Sequence, residues 1–311
     1  MISLSIDDYD LKVPSVVTVG TFDGIHLGHQ KLIKKVSQIS KAENLKSIIL
    51  SFYPHPKIIL NNNPEISLIN TLDEKKEILK KFDIDFFVLK KFTKDFSRLS
   101  PLEFVQDILI NKLNIKHIVI GYDHHFGRNR DASVLELKRF SNILDFKVTE
   151  VSALIKDDIS VSSTKIRDYI RNGDFISANK YLGYDFILTG SVGKGLGRGK
   201  ILGFPTANIT LETNKIKPGN GVYFVYSMID NTIIYGMMNI GLNPTFKDKR
   251  PSIEIHFFNF KEDLYNLEVS ICIIEKIRDE IKFTNADQLA AQLEIDQKKC
   301  FELISIVKKT T

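Results

Sequence analysis

Cysteine is scarce in this chain, whose 311 residues include only Cys272 and Cys300. Two thiols so far apart in sequence do not form a disulfide framework, and they lack the paired spacing of a zinc site. Such sparing use of cysteine is typical of a reducing compartment. We therefore expect a cytoplasmic protein.

Long hydrophobic runs and concentrated charge are also missing. No apolar stretch approaches the roughly 20 residues that a membrane-spanning helix needs, and residues 1–8 lack the basic region of a secretory signal. The formal net charge of +5 comes from 43 Lys and Arg against 38 Asp and Glu, spread along the chain. Because a nucleic-acid binder gathers its basic residues on one surface, we predict no nucleic-acid or membrane partner. Anionic small substrates are enough to explain the charge.

Chain length and residue usage predict two domains. A chain of 311 residues exceeds what one core usually serves. Six of the seven histidines precede residue 184, whereas ten of the seventeen glycines follow it. We predict domains at 1–183 and 184–311, with different residue types carrying the chemistry of each.

Strands alternate with helices in the first domain. A run of β-branched residues at 16–19 leads into a glycine-rich turn, after which apolar residues recur at the helical period. That helix is predicted to begin just after His29. Further strands are predicted at 47–52, 84–89, 117–120 and 146–151, and helices at 72–82, 101–113 and 161–172. The alternation predicts a doubly wound parallel sheet with a Rossmann-like fold.

The stretch 20–29 joins the first of these strands to its helix and reads Gly-Thr-Phe-Asp-Gly-Ile-His-Leu-Gly-His. Free N–H groups and the positive end of the helix dipole make a helix start an anion site, and Gly28 lets a phosphate approach the backbone. His26 and His29 would face that anion together. A metal pair is the alternative for two histidines alone, but no cysteine or His-Glu cluster lies nearby to complete a zinc site.

This stretch resembles the Gly-x-Phe-Asp-Gly-x-His-x-Gly-His signature of nucleotidyltransferases, in the variant of the adenylyltransferase half of bacterial bifunctional riboflavin kinase/FAD synthetases. The resemblance implies that His26 and His29 are catalytic, stabilising the α-phosphate of ATP as pyrophosphate leaves. It also implies a nucleotide-binding role for six residues of the stretch: Gly20, Phe22, Asp23, His26, Gly28 and His29.

Two loops extend the resemblance. Pro54 and His55 follow a strand that the prolines end, and they match the family's Phe-x-Pro-His-Pro, which implies a role in flavin binding. The loop 121–130 is similar to the family's Gly-x-Asp/Asn-Phe-x-Phe-Gly and assigns Asp123 to the nucleotide, although His124 stands where phenylalanine is usual and 131–133 replace a glycine-bearing continuation. A metal held by His124 and its neighbour His125 is not favoured, because adjacent residues on an extended segment point in opposite directions.

The stretch 162–167 opens the last helix of the first domain. Hydroxyl groups at a helix start are normally caps. Here the sequence resembles the family's Ser-Ser-Thr-x-Ile-Arg, which implies that Ser163 and Thr164 contact phosphates and that Arg167 binds them with its planar guanidinium.

Short β runs without intervening helices follow residue 184, at 186–191, 222–229, 233–240, 253–258 and 267–277. This spacing predicts an antiparallel barrel or sandwich, and a long helix capped by Asn285 closes the chain. The fold class we assign is α/β followed by an antiparallel β-barrel with a long C-terminal helix.

Two adjacent stretches are candidates for phosphate binding in the second domain. The glycine run 190–200 does not match P-loop spacing, and such runs are more often flexible hairpins. Residues 202–208, however, match the riboflavin kinase motif Leu-Gly-Phe-Pro-Thr-Ala-Asn, and this resemblance implies nucleotide binding by Gly195, Gly197, Lys200, Thr206 and Asn208. The oxygens of Thr206 and Asn208 are hard ligands suited to Mg²⁺.

Glu254 is the predicted general base of the second domain. Strand alternation places Glu254, His256 and Phe258 on one face. A carboxylate there is usually solvated or salt-bridged, but phosphorylating a ribityl hydroxyl needs a proton acceptor, and no other motif in this half supplies one. For Arg278, a place in the flavin pocket and a place on the surface both stay open.

We interpret the chain as a bifunctional enzyme that uses ATP and Mg²⁺ to phosphorylate riboflavin to FMN and then joins AMP to FMN, giving FAD and pyrophosphate. One rival is an adenylyl- or cytidylyltransferase of another pathway with a substrate-binding barrel. The other is a flavin-sensing or RNA-binding regulator, which would need exposed aromatic residues among basic ones. The oligomeric state is open.

Overall fold

A computed structural model describes residues 1–60, 66–122, 125–128, 132–156, 159–194, 199, 202–242 and 251–310. Packing divides the chain into two compact units, Met1–Ser163 and Thr164–Thr311. The predicted boundary between residues 183 and 184 is a different claim, namely that the chain can be cut there into two fragments that fold independently. That claim stays a prediction. In none of the described segments is there a helix with the length and apolar character that crossing a membrane requires.

The first unit contains a six-stranded parallel sheet with the order β1-β4-β3-β2-β5-β6. The strands are β1 (Ile2–Ser5), β2 (Ser15–Val19), β3 (Lys46–Tyr53), β4 (Phe86–Lys91), β5 (Ile115–Gly121) and β6 (Lys147–Val151). From β2 the chain builds outward through β3 and β4, then returns to β5 on the other side. The strand order therefore reverses next to β2, and ligands of doubly wound sheets bind at the carboxyl ends of the strands around such a point.

Helices connect these strands as the alternation predicts: α1 (Leu27–Glu43), α2 (Pro56–Leu60), α3 (Leu72–Leu79), α4 (Pro101–Glu103) and α5 (Val134–Leu144). The helices α2 and α5 and the strand β1 were not predicted. A π-helix, Phe104–Lys112, continues α4 directly, with the Leu113 N–H donating to the Ile108 carbonyl at 3.1 Å. Two short strands, β7 (Ile155–Lys156) and β8 (Ile159–Ser160), form a small antiparallel pair.

The start of α1 corrects one prediction. The helix begins at Leu27, inside the 20–29 stretch, and not after His29. His26 is its N-cap: the ring Nδ1 accepts a hydrogen bond from the His29 N–H at 3.3 Å. An imidazole that caps the helix replaces the usual Ser, Thr, Asp or Asn, so the sequence carries no ordinary start signal there.

The second unit is built around a closed antiparallel barrel with the order β10-β13-β12-β11-β14-β9. Its strands are β9 (Phe186–Gly193), β10 (Ala207–Leu211), β11 (Gly221–Ile229), β12 (Thr232–Leu242), β13 (Pro251–Phe257) and β14 (Glu268–Arg278). The predicted fold class is confirmed. The strand β10 was missed because its first residues belong to the 202–208 motif.

In the part of this unit that the structure describes, there are three helices: α6 (Ser163–Asn172, from Thr164 on), α7 (Phe175–Leu182) and α8 (Ala286–Thr310). Phe175 of α7 packs its ring against Phe186 and Tyr223 of the barrel, with centroids 5.6 and 5.4 Å apart. Phe301 of α8 packs on Phe258 at 4.9 Å. Both helices thus bury aromatic surface on the barrel, which is the main source of their stability.

Candidate active sites

The carboxyl end of β2 presents two stacked imidazoles. The rings of His26 and His29 lie 3.7 Å apart with an interplanar angle of 15°, so the structure brings the two predicted catalytic residues together. The capping bond uses Nδ1 of His26 as an acceptor, and in the neutral ring the proton therefore sits on Nε2. His26 can offer that N–H to an anion at the start of α1.

His29 has the more unusual environment. Its Nδ1 atom is buried and has no hydrogen-bond partner among the described residues, and the edge of the Phe22 ring packs against it at 5.2 Å. Burial, followed by the nearby His26 and Lys75, holds the pKa of His29 well below its usual value of 6.5. The His29 ring is therefore neutral at pH 7.

The turn before α1 has a strained backbone. Phe22, Gly24 and Ile25 all have positive φ, at 47°, 89° and 33°, a region that bulky and β-branched residues rarely occupy. The side chains of Phe22 and Ile25 are fully buried and hold this conformation. Strain of this kind costs about 1–3 kcal/mol per residue and clusters at ligand sites.

Asp23 points away from solvent and binds the backbone. Its carboxylate accepts hydrogen bonds from the N–H groups of Ile69 at 3.0 Å and Asn70 at 3.3 Å. Its own carbonyl accepts a bond from the Ser163 hydroxyl at 2.8 Å. Asp23 therefore shapes the turn, and its predicted contact with nucleotide stays a prediction.

Gly20 and Gly28 lie close to the side-chain rings of Phe22 and His26. A Cβ atom at Gly28 would lie 3.1 Å from Nδ1 of His26, and one at Gly20 would lie 3.2 Å from the Phe22 ring. Both distances are tighter than ordinary contact. A side chain at position 28 would therefore require the His26 ring to shift, and the phosphate approach at Gly28 stays a prediction.

Lys75 is the residue of this site that the sequence analysis missed. It lies at the end of the first turn of α3, and its Nζ donates to the Thr21 carbonyl at 2.7 Å. A lysine near the positive end of a helix is electrostatically unfavourable. That mismatch, right after the capping box of Thr71 and Glu74, was the signal available in the sequence.

The other predicted residues of the first site are placed only in part. Pro54 and His55 are partly buried at the carboxyl end of β3, where His55 Nδ1 accepts the Lys57 N–H at 3.2 Å. Thr164 and Arg167 follow Ser163 on α6 and belong to the second unit. Asp123 and His124 lie outside the described residues.

The second site lies where β10, β13 and β12 run side by side. Glu254 of β13 is paired in register with Asn208 of β10 and with Asn239 of β12. The Thr206 hydroxyl donates to the Glu254 carboxylate at 3.3 Å. The barrel therefore gathers a carboxylate, a hydroxyl and two amides that the sequence holds up to 48 residues apart.

His256 supports this arrangement from the same face of β13. Its Nδ1 lies 2.8 Å from the Pro205 carbonyl, and because a carbonyl only accepts, that nitrogen carries the proton. Burial lowers the pKa of His256, and the bond to Pro205 offsets part of this shift. Its ring packs between Phe204 and Phe258, at 5.3 and 5.7 Å. His256 thus anchors the 202–208 motif beside Glu254.

Arg278 is held by the C-terminal helix. Its Nε and Nη2 atoms bind the carboxylate of Asp296 at 2.9 and 2.8 Å, and Asp296 is 1% exposed. This ion pair ties the end of β14 to α8. The predicted flavin contact of Arg278 stays a prediction.

The glycine run of the second unit is largely undescribed, since Gly195, Gly197 and Lys200 lie outside the described residues. Across the described part of the chain, no three His, Cys, Asp or Glu side chains cluster as a metal site. A site built from Thr206 and Asn208 differs in kind from such clusters, since its oxygens come from a hydroxyl and an amide.

Comparison with known families assigns both units. The family model for FAD synthetase matches residues 10–165, and the family model for riboflavin kinase matches residues 182–304. The protein of Buchnera aphidicola subsp. Schizaphis graminum named bifunctional riboflavin kinase/FMN adenylyltransferase is 39% identical, with 93% of this chain and 95% of that one covered. Proteins of the same name from Listeria monocytogenes and Bacillus subtilis are 36% and 35% identical, covering 92% and 95% of this chain and 91% and 94% of theirs.

A solved structure from Streptococcus pneumoniae has the same architecture. It superposes with a TM-score of 0.87 at 32% identity and covers 96% of this chain and 98% of that one. Its title names a macrolide-efflux protein, whereas both family models and the curated relatives name flavin enzymes. The structural similarity supports the fold, and the function follows from the family models and the curated relatives.

A parallel sheet with imidazoles at a helix start, together with a barrel that pairs a carboxylate with a hydroxyl, defines a two-part transferase. The chain belongs to the family of bifunctional riboflavin kinase/FMN adenylyltransferases. The predicted function, FMN synthesis followed by FAD synthesis with ATP as the substrate of both steps, is confirmed, and it prevails over the two rivals.

Proposed function

We propose that the two sites divide FAD synthesis by the chemistry of their nucleophiles. The observation that carries this proposal is the contrast between Glu254, which is bonded to Thr206 in the barrel, and the stacked imidazoles at the start of α1. A neutral alcohol needs a base, whereas an ionised phosphate oxygen needs only hydrogen-bond donors and positive charge around the group it attacks.

In the kinase step, Glu254 accepts the proton of the ribityl hydroxyl as that oxygen attacks the γ-phosphorus of ATP. A P–O bond forms to riboflavin, the bond from the γ-phosphorus to the bridging oxygen breaks, and ADP leaves. The Thr206 hydroxyl keeps the carboxylate oriented through the bond described above. We assign the predicted flavin contacts to Pro54 and His55 for FMN in the first unit and to Arg278 for riboflavin in the second.

Magnesium fits the donor set of the barrel. The hydroxyl of Thr206 and the amide oxygen of Asn208 are hard oxygen donors. Glu254 lies opposite Asn208 through strand pairing and accepts a hydrogen bond from Thr206. We propose that Thr206 and Asn208 hold Mg²⁺ together with ATP, while Gly195, Gly197 and Lys200 contact the nucleotide. A bound Mg²⁺ neutralises the charge of the phosphates.

In the adenylyl step, an FMN phosphate oxygen attacks the α-phosphorus of ATP, the bond to the β-phosphate breaks, and pyrophosphate leaves. His26 and His29 donate hydrogen bonds to the α-phosphate oxygens at the positive end of α1. Gly20, Phe22, Asp23 and Gly28 shape the turn around the nucleotide. We keep Asp123, Ser163, Thr164 and Arg167 as further nucleotide contacts.

We also propose a cytoplasmic location and no nucleic-acid partner. The two widely spaced cysteines and the dispersed charge support both proposals.

The experiment is to incubate the whole protein with riboflavin and ATP, with and without Mg²⁺, and to separate the flavins over time. We expect FMN to appear first and FAD to follow, both only with Mg²⁺. FAD formed from riboflavin without intermediate or added FMN, or FMN formation unaffected by a chelator, would contradict the assignment of steps and metal.

A further inference from the structure

Lys75 connects α3 to the strained turn of the adenylyl site. The helix starts at Leu72 after a capping box, in which the Thr71 hydroxyl accepts the Glu74 N–H and the Glu74 carboxylate accepts the Thr71 N–H. This fixed first turn carries Lys75, whose Nζ donates to the Thr21 carbonyl at 2.7 Å. Thr21 lies between the end of β2 and the histidine pair.

A second contact of opposite polarity joins the same two segments. The Asp23 carboxylate accepts the Ile69 and Asn70 N–H groups just before α3. The turn is therefore joined to residues 69–75 at two points. The Asp23 carboxylate accepts hydrogen bonds from backbone N–H groups, and the Thr21 carbonyl accepts one from Lys75. Asp23 and Lys75 also attract each other, and both side chains are largely withdrawn from solvent.

We propose that Lys75 is a positioning residue for adenylyl transfer: it fixes the turn at Thr21 and supplies a positive charge to the surroundings of His29. The proposal rests on adenylyl transfer at the histidine pair. It adds a residue from outside every motif that the sequence analysis identified.

The charges around His29 explain why this cation matters. The titratable groups acting on its ring are His26 on α1 and Lys75 on α3, and Asp23 on the turn acts on Lys75. Burial lowers the pKa of Lys75, and the Asp23 carboxylate raises it part of the way back. The positive charge of the Lys75 ammonium disfavours protonation of the neutral imidazole ring of His29. His29 therefore stays a neutral donor, while the positive charge that attracts the triphosphate comes from Lys75.

The test compares three variants of the whole protein: Lys75→Gln, Lys75→Arg and Lys76→Gln. Glutamine carries no charge, whereas arginine keeps both the charge and a long side chain that can donate to the Thr21 carbonyl. Lys76 is the matched control, because it lies one residue along α3 and is paired with Asp73 at the surface, at 2.7 Å. FAD formation from FMN and ATP is measured between pH 5.5 and 9, and FMN formation is measured on the same preparations.

We expect Lys75→Gln to lower kcat/KM for FAD formation by about 10- to 100-fold, which is the loss of one interaction of a charged group. Its FMN formation should stay within about twofold of wild type. The acidic limb of its pH profile should move to higher pH, because removing the ammonium raises the pKa of His29. Lys75→Arg should restore most of the rate and the position of that limb, and Lys76→Gln should match wild type.

Three outcomes would overturn the proposal: a Lys75→Gln variant as active as Lys76→Gln, an acidic limb that does not move, or equal losses in both half-reactions. Loss of the fold in Lys75→Gln, measured by circular dichroism, would make Lys75 a structural residue and would overturn it too. A folded Lys75→Arg variant whose acidic limb is displaced from that of wild type would also contradict the proposal, because arginine keeps the positive charge. If wild type forms no FAD from FMN, it is instead the proposed function that fails.

Discussion

At the residue scale, His26 and His29 differ although their rings are stacked. His26 is committed through Nδ1 to the backbone of α1, whereas Nδ1 of His29 is buried without a partner among the described residues. A buried polar atom left in this way costs about 1–3 kcal/mol. This unsatisfied atom makes His29 the more informative residue to change.

His29→Ala should reduce FAD formation from FMN by about 10²- to 10³-fold, the usual effect of removing one donor to a developing negative charge. FMN formation should be unchanged, because the change lies in the other unit. Both rates are measured on one preparation by separating the flavins. Equal damage to both reactions would show that the histidine is structural.

The lowered pKa of His29 also predicts how stability depends on pH. The unfolded ring takes up a proton near pH 6.5, whereas the folded ring resists it. The neutral ring therefore contributes full stability above about pH 6.5, and stability is lost as pH falls below that value, by up to about 1.4 kcal/mol per pH unit. We expect His29→Gln, which cannot titrate, to lose less stability than wild type between pH 7.5 and 5.5 in urea unfolding followed by circular dichroism. Parallel losses in both proteins would contradict the shift.

Glu254→Gln keeps the shape of the side chain and removes its basicity. If Glu254 is the general base, FMN formation should fall by roughly 10²- to 10⁴-fold, with riboflavin and ATP still bound and FAD formation from FMN unaffected. Glu268→Gln, on an exposed position of β14, is the matched control and should behave as wild type. A Glu254→Gln rate within a few-fold of wild type would remove Glu254 from the mechanism.

At the scale of elements, a buried ion pair joins α8 to the barrel beside the packing of Phe301. Asp296 is buried, Arg278 donates three hydrogen bonds to its carboxylate, and Gln292 adds one at 2.9 Å. Removing one partner of a buried pair leaves an uncompensated charge. Replacing only one of the two partners therefore lowers stability by more than the loss of the contact itself.

Arg278→Met should lower the stability of the second unit by about 3–5 kcal/mol, measured by urea unfolding. Exchanging both partners, Arg278→Met with Asp296→Leu, should recover much of that loss, because no charge then stays buried. A single variant as stable as wild type would show that the pair is solvated. The predicted flavin role is tested separately: a folded Arg278→Lys variant with an unchanged KM for riboflavin would contradict it.

At the scale of the whole molecule, the helices between residues 163 and 183 decide how the chain can be divided. Asn179 of α7 donates to the Ile273 carbonyl at 2.9 Å and accepts the Phe186 N–H at 2.8 Å. Together with Phe175, it attaches α7 to β9 and β14. The predicted cut at residue 184 separates these groups from the barrel.

We predict that fragment 184–311 converts riboflavin to FMN, and that fragment 164–311 does so with a clearly higher Tm. The longer fragment keeps the Phe175 ring on Phe186 and the bonds of Asn179. Thermal unfolding and FMN formation of both fragments check this. Equal melting temperatures would mean that α7 adds nothing to the barrel, and two inactive fragments would contradict independent domains.

The sequence by itself determined the fold class, and it supplied the candidate residues of both sites, whose roles stay predictions. The helical and strand periods separate the two units, since burial of one face imposes a period of 3.6 or 2 on the residues themselves. The 20–29 stretch was recognisable because its strand, turn and helix are contiguous. Local order of this kind needs no knowledge of distant contacts.

The tertiary structure decided which of those residues meet. Asn208 faces Glu254 only because β10 and β13 pair in one register, and a register is set by the closure of the whole barrel. Lys75 reaches Thr21 across 54 residues, and Arg278 reaches Asp296 on another element. The helix start at Leu27 was missed for a local reason: an imidazole caps the backbone there, and histidine is not among the residues that usually mark a helix start. Contacts between distant segments depend on how elements pack, and the periodicity of one segment holds no information about its neighbour.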